Sequence, residues 1–339
     1  MRSIEFEQAA DPAGAIRLVQ QPNTKFIGGG TNLIDLMKGD VEQPLRLVDI
    51  NHIGLDQITE LPGGGLRIGA AARNSDTANH PLVRTRYPLL SEALLSGASP
   101  QLRNMATVGG NLLQRTRCPY FMDTAFAMCN KRAPGSGCGA REGVNRMHAI
   151  LGMSTACIAV NPSDMNVALA ALDATVQVSG PKGTRSIPIA DFHRLPGSTP
   201  HVDTVLLPAE LITAVDLPPP LFAHHARYVK VRDRSSYAFA LVSVAAALDM
   251  AGGTVRQARI ALGGVAHKPW RVTAAERMLA GQPLDDARSA QAAVLLLEGA
   301  HGFRDNGFKI RLAQRAIVRA LREAGAAADA NAATAGGKA

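Results

Sequence analysis

Aromatic side chains are scarce in this chain: one Trp, four Tyr and nine Phe among 339 residues. A stacking platform for single-stranded nucleic acid needs several exposed rings, so there is little material for one. No run of about 18 apolar residues occurs, which argues against a membrane-spanning helix. The opening segment, MRSIEFEQAADPAGAIRLVQ, carries charges throughout and no apolar centre, so it is not expected to act as a secretory leader. Cysteine is sparse as well, four in all, too few for a disulfide-stapled scaffold of this length. Lys and Arg exceed Asp and Glu by 36 to 28, a formal net charge of +8, but the basic residues form no long runs. That pattern favours an arginine-rich surface over a nucleic-acid-binding face. The apolar share of 46% is ordinary for a globular protein, and the length allows two or three domains.

Along the chain, the first fifty residues read as an α/β unit. A short strand, Lys25-Phe26-Ile27, runs into three glycines, a helical pattern covers Asn32 to Met37, and a strand covers Arg46 to Ile50. A turn-rich β stretch follows, with a strand at Leu66 to Ala70 and helical patterns over Ser75 to Arg86 and Pro88 to Ser96. Residues 113–150 are rich in Gly, Arg, Cys and Pro and show little periodicity, which predicts a loop held by something other than its own apolar core. A helix over 165–172, then a strand, a loop over 196–204 and a proline linker at Leu217 to Leu221 come next. Strands are predicted at Tyr228 to Arg232, Ser243 to Met250 and Val255 to Leu262, the last two joined by Gly252-Gly253 as a hairpin. Helical patterns fill 272–280, 285–298 and 309–323, and the low-complexity tail from Ala324 is expected to be mobile.

Two glycine segments stand out. Lys25 to Leu33 reads KFIGGGTNL, and consecutive glycines after a strand let backbone N–H groups approach a pyrophosphate. Gly28 and Gly30 fit G-x-G-x-x-G, but Leu33 stands at its third position, and no P-loop Lys-Ser/Thr is present. Alone, such a segment is more often a structural turn. A second one, Ala106-Thr107-Val108-Gly109-Gly110-Asn111, changes the balance, because two loops can grip one dinucleotide from two sides. Thr31, Asn32, Thr107 and Asn111 add short polar side chains suited to phosphate and ribose oxygens.

All four cysteines lie within one window of forty residues, spaced C-x10-C-x8-C-x18-C at Cys118, Cys129, Cys138 and Cys157. The close pairs typical of zinc sites are missing. Four soft thiolates satisfy one iron–sulfur cluster, and Arg115, Arg117, Lys131, Arg132, Arg141 and Arg146 could offset its charge. On spacing alone, iron–sulfur, zinc, a disulfide and free thiols stay open. The nine histidines show no partner pattern and read as surface or core residues.

The segments KFIGGGTNLIDLMK, ATVGGNLLQRTRC, NPSD and YVKVRDRSSYAFALVSVA resemble the FAD-binding subunits of the molybdenum hydroxylases, a family that includes xanthine dehydrogenases, aldehyde oxidoreductases and carbon monoxide dehydrogenases. The resemblance runs from about residue 4 to 323 and is greatest to the periplasmic aldehyde oxidoreductase branch, whose inserted loop holds an extra [4Fe–4S] cluster on four cysteines. It implies an α+β fold: a two-subdomain FAD-binding part of the PCMH-like, CO dehydrogenase flavoprotein type, at 1–60 and 61–220. The cluster loop would lie at 113–160, an α+β domain with an antiparallel sheet and helices at 221–325, and a mobile tail at 326–339. It implies that Lys25, Phe26, Ile27, Gly28, Gly29, Gly30, Thr31, Asn32 and Leu33 wrap the FAD pyrophosphate, with Thr107, Gly110, Asn111 and Leu113 as the second loop. Asp164 would bind the adenosine portion and Lys230 would stand beside the flavin. Without the family, Asp164 reads equally well as a helix N-cap and Lys230 as a solvated strand lysine. Cys118, Cys129, Cys138 and Cys157 would hold the cluster.

The implied function is electron transfer. A large molybdopterin subunit oxidises an aldehyde, a small subunit relays electrons through two [2Fe–2S] clusters, and this chain passes them through FAD to a terminal acceptor. No catalytic acid, base or nucleophile is then expected here. The complex would be periplasmic, exported by a signal on the small subunit, or alternatively cytoplasmic. The competing readings are a self-sufficient FAD oxidase and a basic iron–sulfur protein that binds nucleic acid.

Overall fold

The first glycine segment leaves the end of a small parallel sheet. The computed structural model describes residues 3–335, with side chains to residue 326. It sets strand Thr24–Ile27 beside Arg46–Asp49, and Arg46–Asp49 beside Glu5–Gln8, all parallel. Parallel neighbours need crossovers. Helix Pro12–Val19 makes the first, capped by Asp11, whose carboxylate accepts from Gly14 N at 2.6 Å. Helix Leu33–Lys38 makes the second. Strand Glu5–Gln8 has no sequence signal, since all four residues of EFEQ are exposed and only its pairing with Arg46–Asp49 makes it a strand.

A second sheet is antiparallel, in the order Ile58–Glu60, Leu66–Gly69, Leu211–Leu217, Thr175–Gly180, Gly183–Pro188. Leu211–Leu217 returns late in the chain to pair at the centre. The helical pattern at 75–86 is split into Asn74–Asn79 and Pro81–Arg86, because Pro81 forces His80 into an extended conformation with ψ 132°. The loop expected at 113–150 runs on to residue 163, interrupted by a single turn of helix at Pro119–Met122.

The third sheet is antiparallel: Ala226–Val231, Val242–Ala251, Thr254–Gly263 and Trp270–Arg271, with Gln282–Pro283 on the end of Thr254–Gly263. Ala251 pairs with Thr254 across Gly252 and Gly253, whose φ values of +54° and +81° suit a tight hairpin. Val242–Ala251 is buried on both faces as far as Leu248. Its period of two divides it between two cores. Val244, Ala246 and Leu248 pack towards helices Asp286–Leu296 and Phe308–Ala335, and Ala245 and Ala247 towards helix Asp164–Ala171. Every residue of Asp164–Ala171 is buried, consistent with a sequence apolar around most of its circumference. The terminal helix outruns the predicted 309–323, and the tail expected to be mobile continues it to Ala335; residues 336–339 lie outside the described residues. Among the described residues, no helix is long and apolar enough to cross a membrane.

Candidate cofactor site

The two glycine segments meet. A Cβ on Gly29 would lie 1.7 Å from the Met105 carbonyl oxygen, so only hydrogen fits between the loops. A Cβ on Gly28 would come within 3.1 Å of Thr107 Oγ1, and Gly30 has φ +72°. The second loop becomes a short helix at once: Thr107 caps Val108–Leu112, accepting from Gly110 N at 3.1 Å. Residues outside both motifs hold the junction. Asn51 Nδ2 donates to Gly28 O at 3.1 Å, and Arg73 Nη2 donates to Asn51 Oδ1 at 3.0 Å. Arg73 also donates to Met105 O, and Asp49 Oδ1 accepts from Asn51 N at 2.9 Å. Asn51 and Arg73 belong to no motif, and nothing in the sequence marks them.

From the second loop the site continues inward. Ser163 Oγ donates to Asn111 Oδ1 at 2.7 Å and caps helix Asp164–Ala171 by accepting from Asn166 N at 3.1 Å. The N-cap is therefore Ser163, and Asp164 is free for another task. Its buried carboxylate accepts from Tyr228 Oη and from Lys230 Nζ, each at 2.7 Å. Lys230 also donates to Ser96 O at 3.0 Å, and its side chain is 4% exposed, so it is not a solvated strand lysine. Burial, followed by the Asp164 charge, holds the Tyr228 phenol well above its usual range. Gly28, Thr107, Asn111, Ser163, Asp164 and Lys230 thus form one string from the parallel sheet to the third sheet. Beside it opens a cleft lined by Arg117, Cys118, His148, Ser163, Asp164 and Phe239, among others.

The remaining first-loop residues differ in use. Lys25 pairs with Glu42 at 2.6 Å, and Phe26 and Ile27 pack into apolar clusters, so these three present only backbone to a ligand. Thr31 and Leu33 are half-buried. Asn32 Oδ1 accepts from Arg117 Nη2 at 3.5 Å, a bond that ties the start of the cysteine segment to this loop. Leu113 follows the second loop's helix and is exposed.

All four cysteines line a single small cavity, and none is in a disulfide. Cys129 and Cys138 face each other in an antiparallel bridge. Cys157 Sγ accepts from Ala159 N at 3.4 Å. Burial pushes the Cys118 thiol up to about 12 and the Cys157 thiol up to about 11. Both are poor thiolates until a metal displaces the proton. The loop is stapled by polar bonds, as expected of a segment without its own core. Arg132 donates to the carbonyls of Tyr120, Phe121 and Asp123 at 2.8, 3.0 and 2.8 Å, and Val144 N donates to Tyr120 Oη at 2.6 Å.

The six cations expected to offset cluster charge are otherwise engaged. Arg115 pairs with Glu42 and Asp203, Arg117 with Asp35, Lys131 with Asp203, and Arg146 with Asp233. Arg132 and Arg141 donate to backbone carbonyls. The histidines hold a surprise: His148 Nε2 lies 3.1 Å from Cys118 Sγ. Burial, with Lys309 adding to it, draws His148 down to about 4, so it is neutral near pH 7.

Residues 2–220 match the FAD binding domain in molybdopterin dehydrogenase, and residues 227–324 match the CO dehydrogenase flavoprotein C-terminal domain. The chain therefore belongs to the FAD-binding subunits of the molybdenum hydroxylase family, a family of oxidoreductases. It is 55% identical over 331 residues to the aldehyde oxidoreductase FAD-binding subunit PaoB of Escherichia coli (strain K12), covering 97% of this chain and 100% of that protein. Reconstituted CO dehydrogenase from Oligotropha carboxidovorans has the same fold, with a TM-score of 0.76 at 25% identity over 96% of this chain and 99% of that one. Quinoline 2-oxidoreductase from Pseudomonas putida 86 gives a TM-score of 0.73 at 26% identity, over 96% and 98%. The expected α+β fold, with its C-terminal antiparallel sheet and helices, is the one these chains share. The matches carry the FAD-binding fold and do not extend to an iron–sulfur cluster. No group of three or more His, Cys, Asp or Glu among the described residues stands close enough together to hold a metal ion.

Proposed function

We propose that this chain is the flavin-bearing electron-transfer subunit of a heterotrimeric molybdenum-dependent aldehyde oxidoreductase. In this reading it takes electrons from a small [2Fe–2S] subunit, which a large molybdopterin subunit supplies, and passes them to a terminal acceptor. The observation that carries it is the junction of the two glycine loops, Gly29 against Met105, continued by Asn111, Ser163, Asp164 and Lys230.

The residues fit FAD. Two backbone turns with no Cβ between them suit a pyrophosphate, whose oxygens need N–H donors at close approach. Lys25 to Leu33 and Thr107 to Leu113 hold that part, and Ser163, Asp164 and Lys230 border the cleft where a ring system can lie. FAD supplies exchange of electrons singly or in pairs. The chain's own work is to bind, orient and desolvate. Asp164 neutralises Lys230, so the lysine acts as an oriented donor more than as a bare charge. The reading keeps 1–60 and 61–220 as the two FAD-binding subdomains and 221–325 as the C-terminal domain.

The cysteine cavity fits a [4Fe–4S] cluster on donor chemistry: four free thiols around one space, with a backbone N–H on the Cys157 sulfur. A single ion gathers its thiolates at about 2.3 Å each. A four-iron cube spreads them over four corners, which is compatible with cysteines too far apart for one ion.

The test is cofactor content of the anaerobically purified complex. About one FAD and about four irons with matching sulfide per chain support both parts. FAD without iron keeps the flavin subunit and removes the cluster; iron without flavin removes the main reading. We further propose that the complex works in the periplasm. Fractionation of cells expressing all three subunits checks this, and recovery of the assembled complex in the cytoplasm would reject it.

A further inference from the structure

The cysteine cavity and the cleft beside Asp164 share a wall of Thr116, Cys118 and His148. Behind His148 stands Lys309, fully buried in helix Phe308–Ala335. Its Nζ donates to His148 O at 2.8 Å and to Gly264 O at 2.5 Å. Among the described residues no carboxylate pairs with it, and the one charged group that bears on it is another cation, Arg146. Burial, then Arg146, draws the ammonium down to about 7. Hydrogen bonding asks only for a donor to Gly264 O here, which a neutral side chain could also supply. Asn306 Nδ2 already donates to His148 O at 3.2 Å and to Ala149 O at 3.1 Å. A buried ammonium without a carboxylate is costly and sheds its proton readily, unless a neighbouring anion holds it charged. The anion at hand is the thiolate site, reached through His148, whose ring touches Cys118.

We propose that Lys309 is the buried counter-charge of the four-cysteine site, a positioning residue that sets His148 against Cys118 and raises the reduction potential of the cluster. The inference rests on the cluster reading above. One-electron reduction makes the cluster more negative by one charge. A nearby cation in a low-dielectric interior favours that more negative state. Of the cations of the cysteine segment itself, Arg115, Arg117, Lys131 and Arg146 are paired with carboxylates, and Arg132 and Arg141, held by carbonyls as Lys309 is, are only partly buried, whereas Lys309 is fully buried.

The experiment is a redox titration of the full complex followed by electron paramagnetic resonance, with iron, sulfide and flavin assayed on each sample. Lys309→Met removes charge and donor, Lys309→Gln keeps a donor, and Lys309→Arg keeps the charge. The expected result is a shift of the cluster equilibrium towards the oxidised form by at least tenfold, about 59 mV for one electron, in the Met and Gln variants. The Arg variant should stay near the parent. Iron lost from the Gln variant and kept in the Arg variant supports the same role. An unchanged potential in an iron-loaded Gln variant overturns the proposal, as does iron lost from Gln and Arg variants alike, which assigns Lys309 to packing. A parent complex without iron or sulfide overturns it together with the cluster reading, while its flavin content tests the rest of the proposed function separately.

Discussion

The Lys230 ammonium lies 2.7 Å from the Asp164 carboxylate, and both groups are buried where the third sheet meets helix Asp164–Ala171. Tyr228 completes the arrangement from the same strand, two residues away. Removing one partner of a buried pair strands the other's charge, at a cost of about 3–5 kcal/mol. Lys230→Met should therefore lower the unfolding temperature and reduce bound flavin. The double variant Asp164→Asn with Lys230→Met should regain much of the stability without regaining flavin. Thermal unfolding and flavin per chain, measured on both, decide this; full recovery of flavin in the double variant would remove the pair from the binding site.

Gly29 is the tightest point between the glycine loops. Gly29→Ala must displace the Met105 carbonyl, since the added carbon would sit 1.7 Å from its oxygen. Overpacking of this kind costs about 1–3 kcal/mol. The larger effect should be on FAD: a loop pushed off its neighbour no longer offers both rows of amides together. Purified Gly29→Ala should carry little flavin while keeping its secondary structure by circular dichroism. Normal flavin content in this variant would falsify the two-loop site.

Cys138 occupies a turn flanked by glycines, with Gly137 at φ +94°. Cys138→Ser should lose iron and sulfide and keep FAD, because among the described residues no hydrogen bond links this turn directly to either glycine loop. If the cluster mainly pins the loop, the variant should also be more sensitive to proteolysis within 113–160. Normal assembly, iron content and thermal stability would argue strongly against a structural cluster.

Alongside His148, two further buried histidines set a pH dependence. Burial draws His193 and His267 down to about 4, from an ordinary value of 6.5. Above about 6.5 both are neutral folded and unfolded, and their contribution is fully present. Between about 6.5 and 4 the unfolded chain binds more protons, so stability falls as pH falls, by up to about 1.4 kcal/mol per pH unit for each. The urea midpoint should decline over that window, and His193→Gln should flatten the decline. An equally steep decline in the variant would exclude His193 as a source.

Strands and turns with strong local chemistry were legible. The Gly252-Gly253 hairpin, the strand entering Gly28 and the aperiodic cysteine loop all stand where the pattern put them. Elements lacking such chemistry were not. EFEQ has no alternation of buried and exposed positions, and it becomes a strand only against Arg46–Asp49. Helix Pro12–Val19 carries a clear cap in Asp11, a signal present in the sequence. Within the site, the glycine motifs and the cysteines announced themselves by type and spacing. Asn51, Arg73, His148 and Lys309 did not, since an isolated polar residue says nothing about what it will face.

The sequence by itself determined the local conformations: glycine where the backbone must pass close or take a positive φ, proline where helices break, and cysteine gathered in a segment without a core. Those properties depend on a few neighbouring residues. Only the tertiary structure decided which distant groups meet: Gly29 with Met105, Asp164 with Lys230, and Lys309 with the carbonyl of His148. Such partners lie tens of residues or more apart in the chain. Their contacts, and the burial that makes a charge costly or a thiol inert, arise only when the three sheets pack together.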